Sequence, residues 1–453
     1  MNVSLKYCAS KKRLVLGVLF LLFSVHHVNA QTATSLTLRE AIDLGLKKSH
    51  VLKASSARND QAGAIVQQAM DNKLPNASIS GSYLRLAHPD ISLKTKAFNG
   101  GSDSSSRSGS IPNVNQAMYG IANISYPIFT GGKIKYGIES AKFLQKATLL
   151  DADNDKESVI LNIINAYVNF YKASVTVNVV KENLAQSQVR DSVFSRLEQN
   201  GLLARNDLLK AQLQSSNISL SLLDAESNLK IAGINLGLLL GVSEHSQFIP
   251  DTLAFQKHFA LKTLDTYEQL ASQNRKDMQS LSYREKAANS AISLAKASKY
   301  PSIALTGGYV AANIPKVLTI VNAVNIGIGV KYDIASLWKS KANIVQAKAR
   351  VEETIANEAQ LSDAVKLEIN NQFENYLLSR RKIEVYEKAI VQSEENYRIT
   401  KNKYDNALVN TTDLLDANVL LLQSKIELAV AKADVLLAYG KLLKATGTLT
   451  PDF

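Results

Sequence analysis

Cysteine and histidine, the side chains that most often hold metals, are nearly missing from this sequence. The one cysteine, Cys8, stands within the first 30 residues, so residues 31–453 carry no thiol for a disulfide or a thiolate metal site. The histidines of that range are His50, His88, His245 and His258. Their spacing matches no metal-binding motif, so the sequence predicts no metal site.

Signatures of catalysis are also lacking. The glycine pair Gly327 and Gly329 lies inside an alternating strand pattern, without the third glycine and the following helix of a nucleotide-binding loop. The order of residues supports no Ser-His-Asp arrangement. We therefore expect no cofactor and no enzyme activity.

Charge of one sign is in modest excess but is not concentrated. Lys and Arg number 52 against 40 Asp and Glu, a formal charge of +12. Four of the basic residues lie in the first 30 positions, so 48 basic against 40 acidic residues leave +8 for the remainder. Because the basic residues alternate with acidic neighbours and form no patch interleaved with aromatics, we expect no nucleic-acid binding.

Residues 1–30 are expected to be an export signal that is removed. Basic residues precede the apolar run LVLGVLFLLF at 14–23, which is too short to cross a bilayer as a helix, and small residues at 28–30 favour cleavage before Gln31. Cys8 precedes the apolar run, whereas a lipoprotein cysteine would follow it. The mature chain is therefore expected to be exported without a lipid anchor.

Proline is absent from 128–249 and from 316–450, and glycine is sparse there. Residues 133–197 and 339–404 contain no strong helix breaker except Gly137, so each predicts a helix of roughly 98 Å at 1.5 Å per residue. A later stretch alternates spacings of four and three, as a coiled-coil seam does. Its members are Leu415, Val419, Leu422, Ile426, Ala429, Ala433, Leu436, Gly440 and Leu443.

The chain repeats itself. KLPNASISGSY at 73–83 recurs as KYPSIALTGGY at 299–309, a spacing of 226, and a second set of matches follows at 206. We infer a duplicated unit, with repeats at 31–242 and 263–453 and a linker or equatorial segment at 243–262. Each repeat ends in a predicted helical hairpin, at about 133–240 and 339–446.

Segments around the prolines alternate apolar with small or polar residues, which predicts strands at about 76–86, 117–128, 301–311 and 323–334. Loops at 87–115 and roughly 310–323 are expected to join them on the outer side. The strand lengths suit a tilted crossing of a bilayer. A soluble sheet packed on a helix is the alternative.

Four strands cannot close a barrel, and an open edge in hydrocarbon would leave backbone groups unpaired. Several chains would therefore have to share one barrel. Three chains would supply twelve strands and twelve helices in cross-section. The expected fold class is an α+β membrane protein, with a trimeric 12-stranded β-barrel continuous with a long coiled-coil α-helical barrel.

The sequence resembles the outer-membrane efflux proteins of the TolC type over essentially all of residues 31–453. The resemblance rests on LPNASISGSY, YPIFTGGKIKYGIESAK, NGLLARNDLLKAQ, NALVNTTDLLDAN and the closing LLKATGTL, in that order. It implies a homotrimeric channel in outer-membrane lipid, with a periplasmic tunnel that meets a periplasmic adaptor and an inner-membrane pump. An exported helical scaffold or adhesin without transport activity is the alternative. The long helices disfavour a porin-like uptake channel, because a porin needs no periplasmic tube.

The resemblance implies adaptor docking at two hairpin tips. Their residues are Asn200, Gly201, Leu202 and Leu203 in the first repeat, and Ala407, Leu408, Val409 and Asn410 in the second. The simpler alternative is that these residues only turn the chain.

The resemblance also places a pore constriction at Asp413 and Asp416, with Tyr404 as a gate-bonding residue. Three copies of each aspartate would form two stacked acidic rings. The first repeat has Asp207 and Lys210 at the matching positions, and Val409 stands about where the family has a basic gate partner. Helix capping is the alternative role for Thr411, Thr412 and Asp413.

The strand-to-helix turn of the first repeat contains Gly131 and Gly132. The second repeat lacks this glycine pair and has Trp338, the one tryptophan of the chain, in its place. Trp338 is expected either to anchor the chain at the membrane boundary or to pack at the junction of barrel and tunnel.

Overall fold

A computed structural model describes residues 34–87, 115–243, 248–256, 259–315 and 318–452. The expected export signal, 1–30, lies outside the described residues. So do residues 88–114, which make up nearly all of the expected first outer loop. The described chain is mainly helical and contains one four-stranded and one two-stranded sheet.

The helices and strands follow the duplicated plan. The helices are α1 (Leu38–Lys48), α2 (His50–Asp71), α3 (Lys133–Gln199), α4 (Arg205–Leu240), α5 (Leu264–Asn274), α6 (Lys276–Ala297), α7 (Ser336–Asp405) and α8 (Thr411–Ala445). The strands are β1 (Thr34–Leu36), β2 (Asn76–Arg85), β3 (Gln116–Phe129), β4 (Phe248–Pro250), β5 (Ser302–Ile314) and β6 (Leu318–Lys331).

The internal duplication holds element by element. At a spacing of 226, both ends of α1 map onto α5 and both ends of α2 map onto α6. At a spacing of 206, the last residue of α3 maps onto the last of α7, and the first residue of α4 onto the first of α8. Equivalent threonines even begin α1 and α5, because Thr37 and Thr263 each accept a hydrogen bond from a first-turn amide.

The larger sheet has the strand order β2-β3-β5-β6 and is antiparallel throughout. The β3–β5 pair joins the two repeats. One row across the sheet reads Ala77, Ile124, Gly307 and Ile326, and the next row reads Ser78, Asn123, Gly308 and Asn325. Adjacent rows point to opposite faces, so one face is apolar and the other is small or polar.

The apolar face of the sheet is uncovered in the protomer: Ile79 is 89% exposed and Ile326 is 82% exposed. The outer edges of β2 and β6 pair with no other described strand. The exposed face leaves apolar side chains uncovered, and the two edges leave backbone N–H and C=O groups unpaired. In a membrane, these backbone groups must find hydrogen-bond partners.

The expected outer loop at 310–323 is wrong, because β5 continues to Ile314 and β6 begins at Leu318, with Asn313 opposite Thr319. The residues VAANI and LTIVNA are mostly small or β-branched and suit the longer hairpin, while Pro315 lies in the turn. The fourth strand also ends earlier than predicted, at Lys331.

The two longest helices, α3 and α7, contain 67 and 70 residues, about 100 Å each. α3 is central and packs against α2, α4, α6 and α8. In the expected seam of α8, Ala433, Leu436 and Gly440 are buried, whereas Val419 is exposed. No helix in the described ranges is both long and apolar enough to cross a membrane.

The outer faces of α4 and α7 carry large apolar side chains that the described residues leave mostly uncovered. More than half of each is exposed for Leu213, Leu220 and Ile231 on α4, and for Val345, Val385 and Val391 on α7. Such a stripe on a long helix is typical of a surface that packs against another chain.

The core lies where the helices meet the short β1–β4 pair. Tyr167 of α3 is fully buried, and its hydroxyl donates to the carbonyl oxygen of Leu36 (2.7 Å) and accepts from the amide of Asp251 (2.9 Å). Phe255 stacks on Tyr171 with ring centroids 3.7 Å apart. Part of the expected linker, 243–262, is therefore anchored to the core.

Arg275, at the junction of α5 and α6, ties three elements together. Its guanidinium donates to Asp277 (2.6 Å), Glu368 (2.5 Å) and the carbonyl oxygen of Ala445 (3.0 Å). Burial alone would lower the pKa of Arg275, but the hydrogen bonds and charges of Asp277 and Glu368 outweigh it and raise the pKa. The equivalent position of the first repeat is Ser49, so this tie belongs to the second repeat alone.

Gly447 should be intolerant of a side chain. It has φ +66°, and an added Cβ would lie 2.9 Å from backbone atoms of Asn274 and Arg275. We expect Gly447→Ala to lower the free energy of unfolding by more than the roughly 1–2 kcal/mol of left-handed strain alone. The control is Gly201→Ala, with φ +72° but no atom within 4 Å. Thermal unfolding of both variants checks this, and equal losses would contradict it.

Candidate functional site

The two hairpin tips have the same backbone hydrogen bonds. At the first tip, the amide of Gly201 donates to the carbonyl oxygen of Glu198, and the amide of Leu202 donates to that of Leu197. At the second tip, the amides of Ala407 and Leu408 donate to the carbonyl oxygens of Tyr404 and Lys403, respectively. This pattern, the Schellman motif, ends a helix at a residue in the left-handed conformation.

The left-handed residue differs between the tips. Gly201 adopts φ +72° in the first repeat, whereas Ala407 adopts φ +58° in the second. An alanine pays roughly 1–2 kcal/mol for this conformation, so the second tip is built with strain that the first avoids.

Each tip presents one leucine to solvent. Leu202 is 75% exposed and Leu408 is 72% exposed. The neighbouring Leu203 and Val409 are half-buried, and Leu203 packs on a core cluster. The matching pair of outward leucines is the feature that a partner could bind.

A small core cluster holds the two tips side by side. Phe194, Leu208, Ala211 and Leu414 are buried in it, and Leu208 and Leu414 occupy equivalent repeat positions. Tyr404, the predicted gate residue, lies against this cluster and stacks on Phe194 with centroids 5.5 Å apart. Its hydroxyl is 3.5 Å from the hydroxyl of Thr411, a long contact.

Asp413 has a structural partner. It forms a capping box with Asn410, whose side chain accepts from the amide of Asp413 (3.0 Å) while Oδ2 of Asp413 accepts from the amide of Asn410 (3.3 Å). The capping residue is thus Asn410, and neither Thr411 nor Thr412 takes that position. The carboxylate of Asp413 nevertheless remains exposed at the surface.

Asp416 lies one turn further along α8, is exposed, and takes no part in the cap. In the first repeat, Asp207 pairs with Lys210 at 3.6 Å. Neither Asp413 nor Asp416 forms an ion pair with a described residue. The second tip therefore carries two uncompensated acidic charges where the first carries none.

Sequence reasoning missed Arg190, on α3 above the tips. Its Nε and Nη2 atoms, and Oδ1 of Asp191, are buried without a hydrogen-bond partner among the described residues. Burial lowers the pKa of Arg190, and the nearby Asp191, Tyr397 and Tyr404 act in the opposite direction. The equivalent repeat position is Asn396, so the duplication gave no signal for this residue.

The strand-to-helix turns differ as the sequence does. Gly131 and Gly132 adopt φ +62° and +90°, and a Cβ on Gly131 would lie 2.6 Å from that of Tyr300. In the second repeat, Asp333 caps the turn by accepting from the amide of Ala335 at 3.1 Å. Trp338, in the first turn of α7, is 64% exposed.

No metal-like cluster of three or more His, Cys, Asp or Glu occurs in the part of the chain that the structure describes. The tips thus offer an exposed apolar pair, two acidic charges and a buried cation. This arrangement is suited to contact and to ion selection.

The profile of the family described as outer membrane efflux protein matches residues 41–242 and 268–448. The outer membrane efflux protein BepC of Brucella suis biovar 1 (strain 1330) is 23% identical over 404 residues, with 86% of each chain covered. The outer membrane protein TolC of Vibrio cholerae serotype O1 (strain ATCC 39315 / El Tor Inaba N16961) is 24% identical over 307 residues, covering 65% of this chain and 69% of its own.

Solved structures share the fold. The CmeC outer membrane channel of Campylobacter jejuni superposes with a TM-score of 0.74 at 21% identity, covering 91% of this chain and 85% of its own. The open state of the MtrE outer membrane channel of Neisseria gonorrhoeae superposes with a TM-score of 0.70 at 17% identity, with 94% of each chain covered. The family profile matches most of the 453 residues of this chain in two segments, so the chain belongs to the outer membrane efflux protein family.

Proposed function

We propose that three copies of this outer-membrane efflux protein form one exit duct of a tripartite assembly, which also contains a periplasmic adaptor and an inner-membrane pump. The observation that carries the proposal is the four-stranded sheet with two free edges and an exposed apolar face. Family membership already decides for an outer-membrane efflux channel and against an exported scaffold or adhesin.

The number three follows from the lumen that export needs. Two copies would close eight strands, and the interior of such a barrel is just filled by side chains or holds one small ligand. Three copies give twelve strands and the smallest barrel of this kind with an open passage. The polar row Ser78, Asn123, Gly308 and Asn325 would then line that passage.

The exposed apolar stripes of α4 and α7 support the same assembly. These helices lie on opposite sides of α3 and α8 in each protomer, so α4 of one copy would pack on α7 of the next around a ring of twelve helices. The 64% exposure of Trp338 favours the role of membrane anchor, because the described residues leave most of this side chain uncovered.

We further propose that Leu202 and Leu408, with their tip neighbours, bind the adaptor. Their exposure and matched geometry leave two apolar side chains per protomer at the periplasmic end of the tube. Small clusters of exposed apolar residues that recur by symmetry are typical of docking sites.

Leu202→Glu combined with Leu408→Glu should abolish dye efflux in cells that lack their own exit duct, because a charge cannot enter an apolar contact. The yield of assembled protein in the outer membrane should be unchanged. Leu253→Glu is the control, since Leu253 is equally exposed, at 67%, and lies far from the tips. Efflux at the parental rate in the double variant would contradict docking at these residues.

The gate is proposed to lie at the second tip. Three copies of Asp413 and Asp416 around one axis would attract cations, and the capping box leaves the Asp413 carboxylate exposed for this role. Arg190 offers the basic partner that Val409 cannot, because its buried Nε and Nη2 donors lack an acceptor among the residues that the structure describes.

Asp413→Asn with Asp416→Asn should weaken cation selectivity and block by multivalent cations in single-channel recordings from planar bilayers. Asp416→Asn alone separates the roles, because Asp416 has no part in the cap. It should lower selectivity without loss of stability. Replacing Asp207 and Lys210 together by alanine removes a neutral pair and serves as control. Unchanged selectivity in the double asparagine variant would mean that these residues only cap the helix.

A further inference from the structure

A cavity of about 520 Å³ lies where β3 leads into α3, at the end of the sheet nearest the helices. Its apolar wall consists of Tyr126, Pro127, Ile128, Ile134 and Ile138, and Thr130 also lines it. Its polar wall consists of Lys73, Lys135 and Lys142, together with Glu139. The cavity thus combines three basic groups with an apolar surface.

The strand register shows on which side of the sheet the cavity opens. Tyr126 pairs with Leu305, which pairs with Ile328, and this row belongs to the exposed apolar face. A β-bulge follows Pro127, after which Phe129 pairs with Ile303, two residues from Leu305, so the strand keeps apolar side chains on that face beyond the bulge. The cavity is therefore continuous with the surface that meets hydrocarbon in an outer-membrane barrel.

The basic groups of the cavity are not neutralised within the protomer. Lys73, Lys135 and Lys142 form no ion pair with a described residue, and Glu139 is the one carboxylate among the lining residues. The first turn of α3 contains no acidic residue and no side-chain cap. Its free amides add to the positive potential.

The second repeat retains the three lysines, the tyrosine and two of the three isoleucines of the cavity at the equivalent positions. It has Asp333, Ser336 and Ser340 where the first repeat has Pro127, Thr130 and Ile134. Lys73 maps onto Lys299 at a spacing of 226, and Lys135 and Lys142 map onto Lys341 and Lys348 at 206. Tyr126 and Ile128 map onto Tyr332 and Ile334, whereas Glu139 maps onto Val345. All three lysines of the second set are exposed. Most other equivalent positions have diverged, so the retention of this set indicates a shared task.

We propose that the cavity binds the headgroup of an anionic phospholipid, with the acyl chains lying along the apolar face of the sheet, and that the second repeat holds a similar site. The helices leave this end of the barrel toward the periplasm, so the lipid belongs to the periplasmic leaflet. Clusters of lysine beside membrane-embedded surfaces attract anionic headgroups. A trimer would carry six such sites. Lipid bound at these sites would hold the barrel in the bilayer, whichever pump the channel serves.

The test uses the full-length protein in detergent, titrated with phosphatidylglycerol or with phosphatidylcholine of the same acyl chains, and native mass spectrometry to count bound lipids. Phosphatidylglycerol should bind preferentially. Lys73→Gln, Lys135→Gln and Lys142→Gln together should halve the number of tightly bound phosphatidylglycerol molecules. At about fivefold in affinity for each lysine, the loss at those sites is on the order of a hundredfold.

The matched control replaces Lys181, Lys382 and Lys388 by glutamine, because these exposed lysines lie along the helical tube and removing them changes the net charge equally. It should bind phosphatidylglycerol as the parent does. Equal binding of the two lipids by the parent, or undiminished binding by the first triple variant, would overturn the proposal. So would displacement of the lipid by inorganic phosphate at equal concentration, which would identify a site for a free anion. Channel conductance, unchanged in both variants, reports on the exit duct separately.

Discussion

Unpaired backbone groups cannot remain in hydrocarbon, and this constraint governs the whole molecule. A sheet of four strands has two open edges, at β2 and β6, and its exposed face is apolar. Each edge needs a strand from another copy. In the proposed trimer, the assembly that closes the edges would also bring the apolar stripes of α4 and α7 together, so one requirement of the sheet would set the packing of the helical tube.

Duplication accounts for the symmetry of the protomer, and divergence accounts for the differences between its two tips. The lengths of the paired short helices are the same in both repeats, and so are the helix ends and the backbone hydrogen bonds at the tips. At the tips, two differences stand out: Ala407 takes the strained conformation that Gly201 takes freely, and Asp416 stands where the first repeat has Lys210. Both changes lie at the second tip, which therefore differs from the first in charge and in strain.

The duplicated plan, the long helices and the strand pattern could be predicted from the sequence because each depends on local periodicity or on spacing. The outer hairpin of β5 and β6 was misjudged, since small residues such as those around Ala311 suit both a loop and a strand and only pairing decides. Arg190 and Arg275 could not be found, because their importance arises from groups far away in the chain. The tips were predicted from the family resemblance of the segments around Gly201 and Leu408, but the stacking of Tyr404 on Phe194 required the fold.

The shared barrel is the central claim, and the mass of the folded complex tests it most directly. Protein extracted from the outer membrane in mild detergent should have, after correction for bound detergent, three times the mass of one chain, with strand content retained in its circular dichroism spectrum. A stable monomer with an intact sheet would contradict the account, because its strand edges would then have no partner.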